Sequence, residues 1–195
     1  MSEKKQDKPR TFVKETPGSY WIEERFEIIG GVRYDFLSSP KISHQIVVTE
    51  LNASIRETCH SQGITIVGPM DVHLDEENIV QPDLIFIRHE NLHIIRDGFV
   101  KGAPDLLIEI LSPSTGSKDK VVKKTLYERF GVKEYWIVDP LYATVDQFVL
   151  TDGAYTLAAT YDDQGTITSP LLPCLSIDLN RLFREALRFE EKPSG

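Results

Sequence analysis

The chain has 195 residues, of which 41% are hydrophobic and 27% charged. This excludes disorder over most of its length and suits a single domain. Against 30 acidic residues stand 22 basic ones, a net charge of −8. That is the wrong sign for a protein that coats nucleic acid non-specifically, although one local basic patch remains allowed. Cys59 and Cys174 are the only cysteines, far apart and without a Cys-x-x-Cys pair. A zinc ribbon is therefore excluded and a disulfide is not expected, which favours a reducing compartment. Residues 1–10 are polar and lack the apolar stretch of a signal peptide, and no apolar run approaches a membrane span. The expectation is a soluble, cytoplasmic protein without a membrane partner.

Residues 1–18 read as a flexible leader closed by Pro17-Gly18. Residues 26–29 and 32–37 read as a hairpin, because Gly30-Gly31 supplies the positive φ angles of a two-residue turn. Ser38-Ser39-Pro40 breaks the chain and can cap a helix. Apolar residues at 42, 46, 47, 51, 55 and 59 then recur at helical spacing, which predicts a helix over 42–61 ended by Gly63. Short strands are expected at 64–67 and 72–74, and a polar turn at 75–78. A dense apolar strand is expected at 84–87, then a polar stretch over 89–101. Residues 106–111 form another apolar strand, 112–116 a loop, 118–130 a helix stopped by Gly131, and 135–138 a strand. Asp152-Gly153 joins 144–150 and 154–160 as a second hairpin. A last short helix is expected at 179–187. A helix crossing between strands 106–111 and 135–138 favours a parallel pair in a mixed α/β domain.

Glu109 lies inside the apolar strand Leu106-Leu107-Ile108-Glu109-Ile110-Leu111. An unpaired carboxylate buried there costs several kcal/mol, so a basic side chain or a divalent metal must compensate it. Asp83 follows Pro82 at the start of strand 84–87, with enough chain between to set the two strands side by side. Two carboxylates aimed at one spot repel, and a hard cation between them is a natural solution. Mg²⁺ needs only one or two protein carboxylates, and its bound water is a ready nucleophile toward a phosphodiester. The cations come from the next helix. Lys118, Lys120, Lys123, Lys124, Arg129 and Lys133 face only Asp119 and Glu128 over residues 115–133, a local reversal of sign. Asp119, Lys123 and Tyr127 are four apart and share one helical face. A solvated helix with an ion pair would show the same spacing.

Pro82-Asp83, Glu109 and a following lysine resemble the PD-(D/E)xK nuclease pattern. The longer stretch is more specific. Gly102-Ala103-Pro104-Asp105-Leu106-Leu107-Ile108-Glu109-Ile110-Leu111-Ser112-Pro113-Ser114-Thr115, then Asp119, Lys123, Tyr127, Gly131-Val132 and Glu134-Tyr135-Trp136-Ile137-Val138-Asp139-Pro140, resembles the Uma-type restriction endonuclease family of bacteria. Phe26-Glu27-Ile28-Ile29, Ser39-Pro40 with His44-Gln45, Val80-Gln81-Pro82-Asp83-Leu84 and Ser169-Pro170-Leu171-Leu172-Pro173 extend the likeness over residues 21–183. The resemblance implies a restriction-endonuclease-like α/β fold, a central mixed sheet flanked by helices with an added N-terminal hairpin, over one domain at 19–190.

It also implies Mg²⁺-dependent hydrolysis of DNA (Mn²⁺ substituting), with Asp83 and Glu109 as metal ligands and catalytic residues. A backbone carbonyl near Ile110 joins them as a ligand. The usual lysine position two residues after the acid is Leu111 here, and Lys123 on the next helix is the residue that matches. Gly30 stands where relatives often carry an acid. Glu27, His44, Gln81, Asp119 and Tyr127 are auxiliary candidates, and Lys118, Lys120 and Lys124 candidates for nucleic-acid binding. Each has a structural alternative. Glu109 and Lys123 form a plain buried ion pair, Glu27 is an exposed strand carboxylate, His44 is a satisfied structural histidine, Tyr127 packs under the helix, and Trp136 belongs to the core. A catalytically inactive binding module, a nuclease for RNA or branched DNA, and a homodimer all stay open.

Overall fold

The computed structural model of the chain describes residues 25–35, 39–112, 116 and 118–190. The leader at 1–18, the end of the first hairpin at 36–38 and most of the loop before the basic helix lie outside them. β1 (Phe26–Ile29) and β2 (Val32–Asp35) form the expected hairpin, with Gly30 and Gly31 at φ 58° and 73°. α1 spans Ile42–Cys59 and buries Val47, Val48, Leu51 and Ile55. The expected serine cap is absent. The N-cap is Lys41, which makes no side-chain cap bond, and no acidic residue occupies the first turn.

Nor does Gly63 end the helix. It opens β3 (Gly63–Val67), where a Cβ would lie 2.2 Å from the carbonyl oxygen of Ile87. Close approach of two strands requires the missing side chain. Gly63→Ala is expected to lower unfolding stability by about 1–3 kcal/mol, read by urea denaturation. A variant as stable as wild type would show that the strands can part there at no cost.

β4 (Val72–Asp75), β5 (Asn78–Val80) and β6 (Leu84–Arg88) follow. The polar stretch at 89–101 contains a 3₁₀ turn at His89–Ile94, β7 (Ile95–Arg96) and β8 (Phe99–Lys101). β9 (Leu106–Ile110) is wholly buried. A π-helical segment, Lys118–Lys123, runs into α2 (Lys124–Phe130), which Gly131 stops. β10 (Glu134–Asp139), β11 (Thr144–Thr151) and β12 (Ala154–Tyr161) complete the main run. β13 (Thr166–Thr168) and β14 (Ser176–Asp178) pair before α3 (Leu179–Arg184) and a 3₁₀ turn at Ala186–Phe189.

The central sheet has the order β12-β11-β10-β9-β6-β3. Only β9 and β10 pair in parallel within it, joined by the π-helix and α2 as the crossover requires. The N-terminal hairpin is not a simple addition. It is one edge of a second six-stranded sheet, β2-β1-β5-β4-β8-β7. The strands of β6 and β9 alternate their side chains between two cores. Leu84, Phe86, Leu106 and Ile108 pack toward α1 and α3, together with Trp136. Ile85, Ile87 and Leu107 pack with Tyr127, Tyr135 and Ile137.

Cys59, at the end of α1, and Cys174 form a disulfide with Cα atoms 5.4 Å apart. This corrects the expectation that a disulfide framework is unlikely, and removes the support that expectation lent to a reducing compartment. Their 115-residue separation hid the pair, because only the packing of α1 against the segment before β14 brings them together. Among the described residues no helix is long and apolar enough to cross a membrane.

Candidate active site

Asp83 immediately precedes β6, and the antiparallel register Leu84↔Ile108 sets it across from Glu109 on β9. Asp83 Oδ2 accepts the N–H of Ile110 at 2.8 Å and lies 3.2 Å from Nε2 of His44. Ile110 thus enters the site through its N–H, which fixes the aspartate. On Glu109, both protein donors converge on Oε1: the ammonium of Lys123 at 2.9 Å and the hydroxyl of Tyr127 at 2.7 Å. Each carboxylate therefore has one oxygen pinned. Oδ1 of Asp83 and Oε2 of Glu109 have no protein partner among the described residues. Both side chains line a cleft of about 800 Å³.

The cations are placed by an irregular helix. In an α-helix, residues five apart point about 140° away from one another. A π-helical turn is wider and brings such residues onto one side. Lys118 and Lys123 accordingly meet the same carboxylate, Glu27 of β1, at 2.5 Å and 2.8 Å on its two oxygens. Asp119 lies 3.4 Å from Lys123. From the α-helical turn that follows, Tyr127 reaches Glu109. The alternatives of packing and function merge at Tyr127, which is fully buried and also bonds the site.

Glu27 is not the exposed strand carboxylate; it is 0% exposed and also accepts the backbone N–H of Gln81 at 2.9 Å. The Gln81 amide is itself engaged, donating to Asp71 and accepting from Arg25. His44, on the first turn of α1, holds Asp83 through Nε2, while its buried Nδ1 has no hydrogen-bond partner among the described residues. The three lysines expected at a nucleic acid diverge. Lys118 lines the cleft, Lys120 lines a separate cavity, and Lys124 rests 4.1 Å above the ring of Phe148. Arg25 and Arg33 of the hairpin, which sequence reasoning passed over, also line the cleft. Their signal was only one arginine before a short hairpin and another within it.

Burial sets the electrostatics. It pushes the carboxyl of Glu109 well up, against the pull of Lys123 and with a further push from Asp119, Asp83 and Glu27. Burial works against the charged form of Lys123, but Glu109, Glu27 and Asp119 hold it well above the ordinary lysine range. Burial also disfavours ionised Glu27, yet Lys123 and Lys118 keep its carboxyl below the usual value. Burial and Glu109 push the phenol of Tyr127 well up, so it stays a donor.

Within this cluster four carboxylates, Glu27, Asp83, Glu109 and Asp119, stand against two ammonium groups. The acidic groups outnumber the ammonium groups, and burial already pushes one of them, Glu109, toward its neutral form. Among the described residues no three His, Cys, Asp or Glu side chains are arranged to hold a metal. The donor set is instead two uncommitted carboxylate oxygens, which suits a hard, hydrated divalent cation that needs few protein ligands. The residues present fit Mg²⁺ or Mn²⁺ and do not fit zinc.

No curated protein matches the sequence. Among solved structures, the chain is similar to a "putative nuclease belonging to DUF820" from Anabaena variabilis, at TM-score 0.70 and 18% identity, over 85% of this chain and 95% of that chain. The type IIG restriction endonuclease BpuSI aligns at TM-score 0.41 and 14% identity, over 79% of this chain and 18% of that chain. The first likeness establishes the restriction-endonuclease-like fold. The Uma2 family, described as "Putative restriction endonuclease", matches residues 21–180. With its model spanning most of the sequence, this chain belongs to the Uma2 family.

Proposed function

We propose that the chain is a metal-dependent endonuclease that hydrolyses phosphodiester bonds in DNA. The observation that carries this reading is the pairing of Asp83 with Glu109, each with one oxygen anchored and one uncommitted, in a cluster where carboxyl groups outnumber ammonium groups. Asp83 and Glu109 are the proposed metal ligands, with the carbonyl of Ile110 as a third oxygen. When bound, Mg²⁺ would favour the ionised form of Glu109, lower the pKa of a coordinated water and stabilise charge developing on the phosphate.

The protein's own groups prepare the site. His44 and the N–H of Ile110 orient Asp83. Tyr127 and Lys123 orient Glu109. Lys123 donates to carboxylates on several sides, and Glu27 fixes its position. We assign Lys123 first to holding Glu109 and to supplying positive charge beside the developing phosphate charge. Glu27, Gln81 and Asp119 are positioning residues in this reading. Arg25, Arg33 and Lys118, along the cleft, would meet the phosphate backbone.

The contact between Lys123 and Glu109 also favours a second reading, a nuclease fold that binds without cutting and neutralises Glu109 internally. Calorimetric titration of Mn²⁺ and Mg²⁺ separates the two. Wild type is expected to take up one ion, and Glu109→Gln and Asp83→Asn to lose it while remaining folded. Wild type that binds no ion, with or without a short DNA duplex, would sink the catalytic reading and leave the binding module.

A further inference from the structure

Gln81 lies two residues before Asp83, on the segment that leads into β6, and both ends of its side-chain amide are engaged. Its backbone N–H donates to Oε1 of Glu27 at 2.9 Å, which ties this segment to the carboxylate that Lys118 and Lys123 share. Its Nε2 donates to Oδ1 of Asp71 at 2.8 Å. Its Oε1 accepts from Nε and one Nη of Arg25, each at 3.3 Å. Arg25 is exposed, and Arg25, Gln81 and Asp83 line the same cleft, whereas Asp71 is not among the residues of its lining.

The three side chains form an ordered relay. An ionised carboxylate only accepts hydrogen bonds, so Asp71 decides which end of the Gln81 amide is the NH₂. The carbonyl end must then face Arg25. Turned over, the amide would set its NH₂ against a guanidinium, which only donates. A guanidinium is a rigid planar fork, so anchoring one edge sets the plane of the whole group. Pro82 biases Gln81 toward an extended backbone, and two extended residues span about 7 Å. The arginine and the carboxylate of Asp83 are therefore close neighbours along the cleft.

We propose that Asp71 and Gln81 are positioning residues for Arg25, which grips a phosphate flanking the scissile one. This rests on the nuclease reading of the cleft. Asp71 fixes the amide, the amide fixes the guanidinium, and the guanidinium registers the nucleic-acid strand against Asp83 and Glu109. An acidic residue and a neutral one thereby strengthen the binding of a polyanion through a third side chain.

The test is fluorescence anisotropy with a labelled DNA duplex over a range of salt, without divalent metal so that no cleavage accompanies binding. Arg25→Ala is expected to weaken binding about tenfold and to lower the salt slope by about 0.9. Gln81→Leu leaves the backbone bond to Glu27 in place and removes no charge, yet it should also lower the slope. Added to Arg25→Ala, it should cost little more, because it acts through that arginine. Asp71→Ala separates the relay from simple electrostatics. Loss of an acid should tighten DNA binding if charge alone counts, whereas loss of the relay should weaken it about threefold. Thermal melts report folding, and Mn²⁺ calorimetry on each variant reports the carboxylate site separately. The relay is overturned by an unchanged slope in folded Arg25→Ala or Gln81→Leu, by additive losses in the double variant, or by tighter binding in Asp71→Ala. Wild type that takes up Mn²⁺ but does not bind the duplex would overturn it as well. Failure of Mn²⁺ uptake alone would count against the nuclease reading, with the salt slopes still deciding the relay.

Discussion

Lys123→Met is expected to destabilise the protein by about 3–5 kcal/mol, the cost of leaving buried charge without its partner. The side chain of Lys123 is 3% exposed and lies within 3.4 Å of three carboxylates. Removing it leaves Lys118 to serve Glu27 and leaves Glu109 with the phenol of Tyr127 as its side-chain donor among the described residues. Denaturant unfolding of Lys123→Met, Glu109→Gln and the double variant measures the coupling. The double variant should recover part of the loss, because it removes one of the stranded charges.

The pH dependence has a definite sign. In wild type, the depressed carboxyl of Glu27 contributes stability that is present above its unfolded pKa and lost as pH falls through its folded value. In Lys123→Met that carboxyl rises, and protonation relieves the buried charge. The gap between the two proteins should therefore narrow as pH falls from neutral toward about 4. A gap that is constant with pH, or a loss below about 1 kcal/mol, would show that the ammonium is not what holds these carboxylates.

Glu134→Leu should cost a similar amount, about 3–5 kcal/mol, for a different reason. Glu134 is 0% exposed and has three neutral donors. Trp136 Nε1 and Gln147 Nε2 donate to one oxygen, and Ser169 Oγ to the other, each at 2.6 Å. These bonds tie β10 to β11 and to the segment after β13. Leucine would strand the Trp136 and Ser169 donors in the core and leave the Gln147 amide with only its bond to the carbonyl of Thr168. Because the group is outside the cleft, Mn²⁺ uptake by the folded fraction should not change. Loss of the ion in Glu134→Leu, with folding intact, would mean that the two carboxylate centres are linked.

Glu109 and Glu134 also show what the sequence can and cannot reveal. A carboxylate amid Leu106, Leu107, Ile108 and Ile110 stands out, because the strand is otherwise apolar. Glu134 opens its strand after Lys133, where an acid looks ordinary, and only its partners mark it as buried. Hairpins at Gly30-Gly31 and Asp152-Gly153, helix α1 and the parallel pair of β9 and β10 were legible from turn chemistry and periodicity. The second sheet was not, since β5, β7 and β8 are two or three residues long and carry no measurable alternation. Spacing of four brought Asp119, Lys123 and Tyr127 to one face as expected, but the partnership of Lys118 with Glu27 needed the π-helical turn. Backbone widening of that kind has no residue signature here. Cys59 with Cys174, and Glu190 with Ser43, are contacts of tertiary packing alone.

The crossover between β9 and β10 has a consequence for how such a protein can diversify. Parallel pairing obliges the chain to make this connection, and the same thirteen or so residues carry Lys118, Asp119, Lys123 and Tyr127. Topology and chemistry are written in one segment, so an insertion there would disturb both at once. On the nuclease reading, new substrate preferences would have to be acquired elsewhere, such as at the cleft edge bearing Arg25 and Arg33. The proposed chemical centre would stay constant while that border drifts.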